Sequence, residues 1–202
     1  MGLWAYWKKR KRQAGFTLIE LVVAVAISAI IMGGASVLLW QLAVSSSSTT
    51  NQAIANLQVH YVSSWIGQDV IQAGNITLGG NATTGNFPLT IVIPTYDNAT
   101  METVTYWTEN MRDKLGNELW KLNRTEAYPG VAGNSTSMIA EYLDPQSTGL
   151  CAVGNITRID ALRLRVGAIV DTEEAAAIYA INPRRDVTNV TWVVREDQIC
   201  PY

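Results

Sequence analysis

The chain has 202 residues, 48% hydrophobic and 16% charged, with a formal net charge of −2. That length allows one membrane segment plus one modest domain, at ~100–200 residues per domain. Five of the fifteen Lys/Arg fall between Lys8 and Arg12, and the remainder carries ten bases against seventeen acids, net −7. A basic leader ahead of an acidic body speaks against a folded nucleic-acid binder, which needs a basic face on its domain. It fits a membrane protein oriented by positive charge on the cytoplasmic side.

The first seven residues, MGLWAYW, are aromatic enough for Trp4, Tyr6 and Trp7 to lie at a membrane interface. The cluster Lys8, Lys9, Arg10, Lys11, Arg12 follows, then the small step Ala14-Gly15. From Phe16 to Val44 the only charge is Glu20. A secretory signal has an apolar core of ~7–15 residues with its cleavage site after it. Here the small step precedes the run, and Leu21–Val44 alone is 24 residues. At ~1.5 Å per residue that covers about 36 Å, enough to cross a ~30 Å hydrocarbon layer with some tilt. The run therefore reads as a spanning helix, with the N-terminus inside and the body outside. Glu20 is the anomaly. It is either an interfacial acid favoured by the helix dipole or a carboxylate awaiting a cation from another chain.

Gly15 followed by Phe16-Thr17-Leu18-Ile19-Glu20-Leu21 and an apolar helix, all behind a basic cluster, resembles the class III signal of type IV pilins and type II secretion pseudopilins. The resemblance covers residues 8–44. It implies that a membrane prepilin peptidase/N-methyltransferase cuts after Gly15 and methylates the new amino terminus, Phe16. It also implies that Glu20 pairs with the amino-terminal cation of a neighbouring subunit during filament assembly. A buried carboxylate becomes tolerable once paired. The implied partners are that peptidase, other pilin or pseudopilin subunits, an inner-membrane assembly platform and membrane lipid. No cofactor, metal or nucleic acid is implied.

Beyond the run, Gly33 and Gly34 allow close helix approach in a membrane or are ordinary membrane-helix glycines. Ser45-Ser46-Ser47-Ser48-Thr49-Thr50 are six poor helix formers in a row and predict a cap, hinge or break. Helical periodicity resumes with Ile54, Leu57, Tyr61 and Trp65, widened by Val62, Ile66 and Val70, and ends near Gly74 or Asn75. His60 falls on the polar side as a surface residue. From Leu78 the pattern turns to strands: Leu89–Ile93, a hairpin of Thr103–Thr108 and Leu119–Asn123 about Lys114-Leu115-Gly116-Asn117, Ile159–Val170, and Thr191–Val194. Asp171 to Ala177 reads as a short capped helical turn or surface loop. Helix first and strands after is an α+β arrangement. With the resemblance, it implies a pilin-like fold: one long N-terminal helix, half transmembrane and half amphipathic, packed on a C-terminal antiparallel β-rich head. The expected divisions are a cleaved leader 1–15, a transmembrane helix 16–44, its amphipathic continuation 45–74 and a head 75–202. The long body and the pattern Ile159-Asp160-Ala161-Leu162-Arg163-Leu164-Arg165-Val166 further resemble minor pilins of the PilW type and J-type minor pseudopilins.

Two cysteines and one histidine are too few for a structural zinc site, which takes about four such ligands. Outside the cytoplasm, Cys151 and Cys200 read as one disulfide; two unrelated buried thiols are the alternative. Seven Asn-x-Thr triplets begin at Asn75, Asn81, Asn98, Asn123, Asn134, Asn155 and Asn189. They are glycosylation sequons or by-products of a Thr- and Asn-rich β domain. None has an acid two positions before the Asn. Asp171, Glu173 and Glu174 lack EF-hand spacing and read as solvated acids rather than a calcium site. No phosphate loop, nucleophile elbow or His/Cys constellation is present, which argues against an enzyme. The expected function is a minor pilin or pseudopilin that primes, joins or caps a type IV pilus or type II secretion pseudopilus. The alternative is a single-pass anchored extracytoplasmic module for adhesion or for substrate or DNA capture.

Overall fold

The computed structural model describes residues 17–95, 100–113, 115–155, 158–183 and 190–200, without the side chains of Ala82, Asn155 and Arg158. The leader with its basic cluster, Gly15, Phe16, Lys114, Asn98 and Asn189 lie outside the described residues. The chain divides into two compact units, residues 1–46 and 47–202.

A single helix, α1, runs Leu18–Gln72. Within the first unit its apolar residues have no packing partner among the described residues. Ile30 is 76% exposed and Trp40 73%, and none of the apolar window is buried. The break expected at Ser45–Thr50 does not occur. Hydroxyls in a helix cost little once their bonds are made locally or to a neighbour. Ser28 and Ser36 donate to the carbonyls of Ala24 and Met32 at 2.8 Å, and Ser48 donates to Glu173 Oε1 at 2.6 Å.

In the second unit, the buried face of α1 is Ala55, Val59, Val62, Ile66, Asp69 and Val70. The spacing of three and four residues is that of one helix face. This face is rotated from the expected stripe: Leu57, Tyr61 and Trp65 are exposed. The residues that meet the core are Ala55, Val59, Val62, Ile66 and Val70, on the side of the helix away from Leu57, Tyr61 and Trp65. Each fully buried Val or Ile contributes about 1.5–3 kcal/mol. The helix ends where Gly74 donates to the Val92 carbonyl at 2.8 Å and the chain enters the sheet.

The head contains β1 (Asn75–Leu78), β2 (Leu89–Pro94), β3 (Met101–Arg112), β4 (Glu118–Ala127), β5 (Ser135–Leu143), β6 (Gly149–Asn155), β7 (Arg158–Val170), β8 (Glu173–Ile181) and β9 (Thr191–Val193). They form one sheet of order β6-β7-β5-β4-β3-β2-β1-β9, with β8 paired to β7. All pairings are antiparallel except β1–β9. The fold is therefore α+β: one long N-terminal helix followed by an antiparallel-rich sheet. Ile76, Leu89, Ile91, Val104, Tyr106, Leu122, Leu143, Leu162 and Leu164 join the helix face in one core.

The strands expected at Leu89–Ile93, Ile159–Val170 and about the 114–117 turn lie within β2, β7 and the β3–β4 hairpin. Glu173–Ile181 differs, because it is a strand where a helical turn or loop was expected. Its alanines favour helix locally. Nine consecutive pairs, from Val170↔Glu173 to Leu162↔Ile181, override that preference.

Candidate functional site

The start of α1 is closed by its own side chains. Thr17 stands just before the first helical residue, and Glu20 occupies the third helical position. Thr17 N–H donates to Glu20 Oε2 at 2.9 Å, and Glu20 N–H donates to Thr17 Oγ1 at 3.3 Å. These reciprocal bonds are a capping box, which satisfies two amides the helix cannot. The Thr17 hydroxyl also donates to Glu20 Oε2 at 2.9 Å. Thr17-Leu18-Ile19-Glu20 is thus a helix start as well as part of the signal. The sequence offered Glu20 as an interfacial acid favoured by the helix dipole or as a carboxylate awaiting a cation from another chain; the Ser/Thr-x-x-Glu spacing was the signal for its local partner, Thr17. Ile19, Val23, Ala24 and Ile27 flank Glu20 along a shallow apolar groove. Of the residues the signal implicates, Glu20 is described, whereas Gly15 and Phe16 lie outside the described residues. A Cβ added at Gly33 or Gly34 would meet nothing within 4 Å, so no close approach inside the chain requires either glycine.

The head has a second polar constellation that the sequence reading missed. Asp69 on the buried face of α1 accepts Arg124 Nε at 2.8 Å, Arg124 Nη2 at 3.1 Å and the Tyr106 hydroxyl at 2.5 Å. Arg124 also pairs with Glu126 and lies over the Trp65 ring, 5.1 Å from its centroid. Asp69 is 6% exposed and Arg124 8%. Burial, and then the adjacent Asp69 charge, push the Tyr106 phenol above its ordinary range. Burial alone would lower the Arg124 pKa, but the bonds and charge of Asp69 outweigh it and raise the pKa. The cluster ties α1 to β3 and β4 through charges that stabilise only in this geometry. Its one sequence signal is an acid three residues beyond Ile66 on an otherwise apolar face.

Cys151 on β6 and Cys200 are bonded, with Cα atoms 5.0 Å apart and a sequence separation of 49. Cys200 N–H donates to the Ala152 carbonyl at 2.9 Å. The buried Gln198 donates to the carbonyls of Leu78 and Gly80 and accepts from Arg195 N–H. The C-terminal segment is thereby latched to β6, at one end of the sheet order, and to β1, the strand next to the other end. Closing a loop of this length is worth about 4 kcal/mol in the chain-entropy model. Cys151→Ser is expected to lower the melting temperature of the detergent-solubilised protein by at least about 8 °C, and reductant should have the same effect on the parent chain. An unchanged melting temperature would contradict that role.

The described Asn-x-Thr sites differ in access. Asn75 Oδ1 and Asn123 Nδ2 are buried without a partner. Asn81 Oδ1 accepts three bonds from Thr83 and Thr84. Asn134 is exposed at the β4–β5 turn. Among the described residues no three His, Cys, Asp or Glu side chains cluster as metal ligands; Glu173 is engaged by Ser48, and Asp171 and Glu174 face solvent.

Compared with known families, residues 10–36 match the model described as the prokaryotic N-terminal methylation motif. Neither a curated protein nor a solved structure matches the chain. The matched segment contains the capping box, Glu20 and the exposed apolar helix as far as Ser36.

Proposed function

From a chain that carries the class III prepilin signal, and so is a type IV pilin- or pseudopilin-like subunit, we propose the finer role of a minor subunit that primes, joins or caps its filament. The signal implies processing by prepilin peptidase and assembly with other pilin subunits. In this reading the basic cluster holds the leader inside, cleavage follows Gly15, and the head lies outside the cytoplasm. The new Phe16 ammonium of one subunit then meets Glu20 of the next.

The observation that carries the reading is the helix itself. Between Leu18 and Val44, α1 presents a long run of mostly apolar side chains that nothing among the described residues covers. Burying such a surface in lipid, and then against like helices, supplies the driving force for storage and assembly. Glu20 is the one charge on that surface, and its cost falls when a cation is brought to it.

Quantitative mass spectrometry of sheared filaments tests the minor role. The chain is expected at no more than a few per cent of the most abundant subunit, and its deletion is expected to reduce filament number. A copy number equal to that of the most abundant subunit would overturn the minor role and leave the subunit reading intact.

A further inference from the structure

Among the arginines whose side chains are described, three have carboxylate partners and two do not. Arg112 pairs with Glu118, Arg124 with Asp69 and Glu126, and Arg195 with Asp197. Arg163 and Arg165 have neither an ion-pair nor a hydrogen-bond partner among the described residues. They are neighbours on the exposed face of β7, two residues and so about 7 Å apart. On β6 they face Cys151 and Gly149, and on β8 they face Ala180 and Ile178. None of these supplies a countercharge. The two side chains line a groove of about 460 Å³ with Ser147, Thr148, Ile178 and Asp197. Asp197 is committed to Arg195 at 3.4 Å. Two like charges held side by side in a concave site are mutually unfavourable unless an anion joins them.

The same pair of strands carries the complement. Residues 47–202 hold ten bases against sixteen acids, and Asp171 and Glu174 lie where β7 turns into β8. Both are exposed and have no ion-pair partner among the described residues. This acidic turn is six residues beyond Arg165, about 20 Å along the strand. Basic groove and acidic turn therefore sit at separated points of one hairpin and cannot satisfy each other within the chain. A contact between different patches of identical molecules is heterologous, and when its rotation does not close it generates a filament.

We propose that the Arg163/Arg165 groove docks the Asp171–Glu174 turn of a second copy of this chain, head to tail. The inference rests on the subunit reading for its assembly step and requires that at least two copies of this chain meet. Glu174 supplies the carboxylate for the guanidinium fork, Asp171 adds to the field, and the exposed Ile178 at the groove rim supplies apolar contact.

The test uses the full chain in detergent, with self-association followed by sedimentation velocity at low and high salt. The Arg163→Glu/Arg165→Glu variant and the Glu174→Arg variant are each expected to weaken self-association by about tenfold or more at low salt. Salt should weaken the parent and not the variants. Mixing the two variants should restore association, because each then offers the sign the other lacks. Retained melting temperature shows that the variants are folded, and Arg163→Gln/Arg165→Gln removes charge without reversal if the double Glu variant is not. Unchanged association in the arginine variants, or loss without rescue on mixing, overturns the proposal. Failure here with filament incorporation still dependent on Glu20 leaves the subunit reading standing; incorporation independent of Glu20 removes that reading itself.

Discussion

Replacing Glu20 by Ala is expected to abolish incorporation into the filament while the protein still inserts in the membrane. The lost term is the partner for a neighbour's amino-terminal cation among apolar helices. Leaving a buried charge without its partner costs about 3–5 kcal/mol, or at least a 100-fold loss of assembled subunit. Glu20 also closes the capping box with Thr17, so Ala removes two functions together. Glu20→Gln separates them. A glutamine side chain still accepts the Thr17 amide but carries no charge, and it is expected to fail like Ala. Thr17→Ala removes the cap, worth about 0.5–2 kcal/mol, keeps the carboxylate and is expected to assemble. Assembly of Glu20→Gln at the parent level would show that Glu20 serves the helix start alone. It would favour the alternative of a tethered binding module, in which α1 is only an anchor.

The second large effect lies in the head. Arg124→Ala leaves the Asp69 carboxylate buried with the Tyr106 hydroxyl as its remaining described side-chain partner. It also strips the guanidinium from Trp65. The expected cost is about 3–5 kcal/mol, a large share of a stability of ~5–15 kcal/mol. The head of this variant should be unfolded or protease-sensitive at 37 °C. Removing both charges by Asp69→Leu/Arg124→Met is expected to recover most of the loss, because apolar groups of similar volume need no partner. A melting temperature for Arg124→Ala within about 2 °C of the parent would contradict a stabilising role for the cluster.

Those two sites show what the sequence reveals and what it conceals. Glu20 was visible because it is the one charge between Phe16 and Val44, and because its neighbours form a contiguous motif. The long apolar helix was visible in the length and composition of its run, and the strand at Leu89–Ile93 in its β-branched residues between Pro88 and Pro94. Asp69 and Arg124 lie 55 residues apart, and only folding brings them together. The stripe expected on α1 included Val62, Ile66 and Val70, which are buried, but Leu57, Tyr61 and Trp65 are exposed and Ala55 and Val59 lie inside instead, because periodicity marks a helix without fixing which side of it meets the sheet. Strand β8 was misread because its alanines carry helical preference, and the pairing with β7 that overrides it is not local. The Cys151–Cys200 bond was legible from compartment and count; its coupling to the buried Gln198 was not.

The central claim is that the chain is made as a precursor and matured at Gly15 before assembly. Intact-mass and N-terminal sequencing of the protein extracted from membranes of cells with an active prepilin peptidase tests it most directly. The expected result is a chain beginning at Phe16 with a mass 14 Da above the unmodified mature form, as one methyl group adds. A chain that begins at Met1, or at a site after Val44, would contradict it.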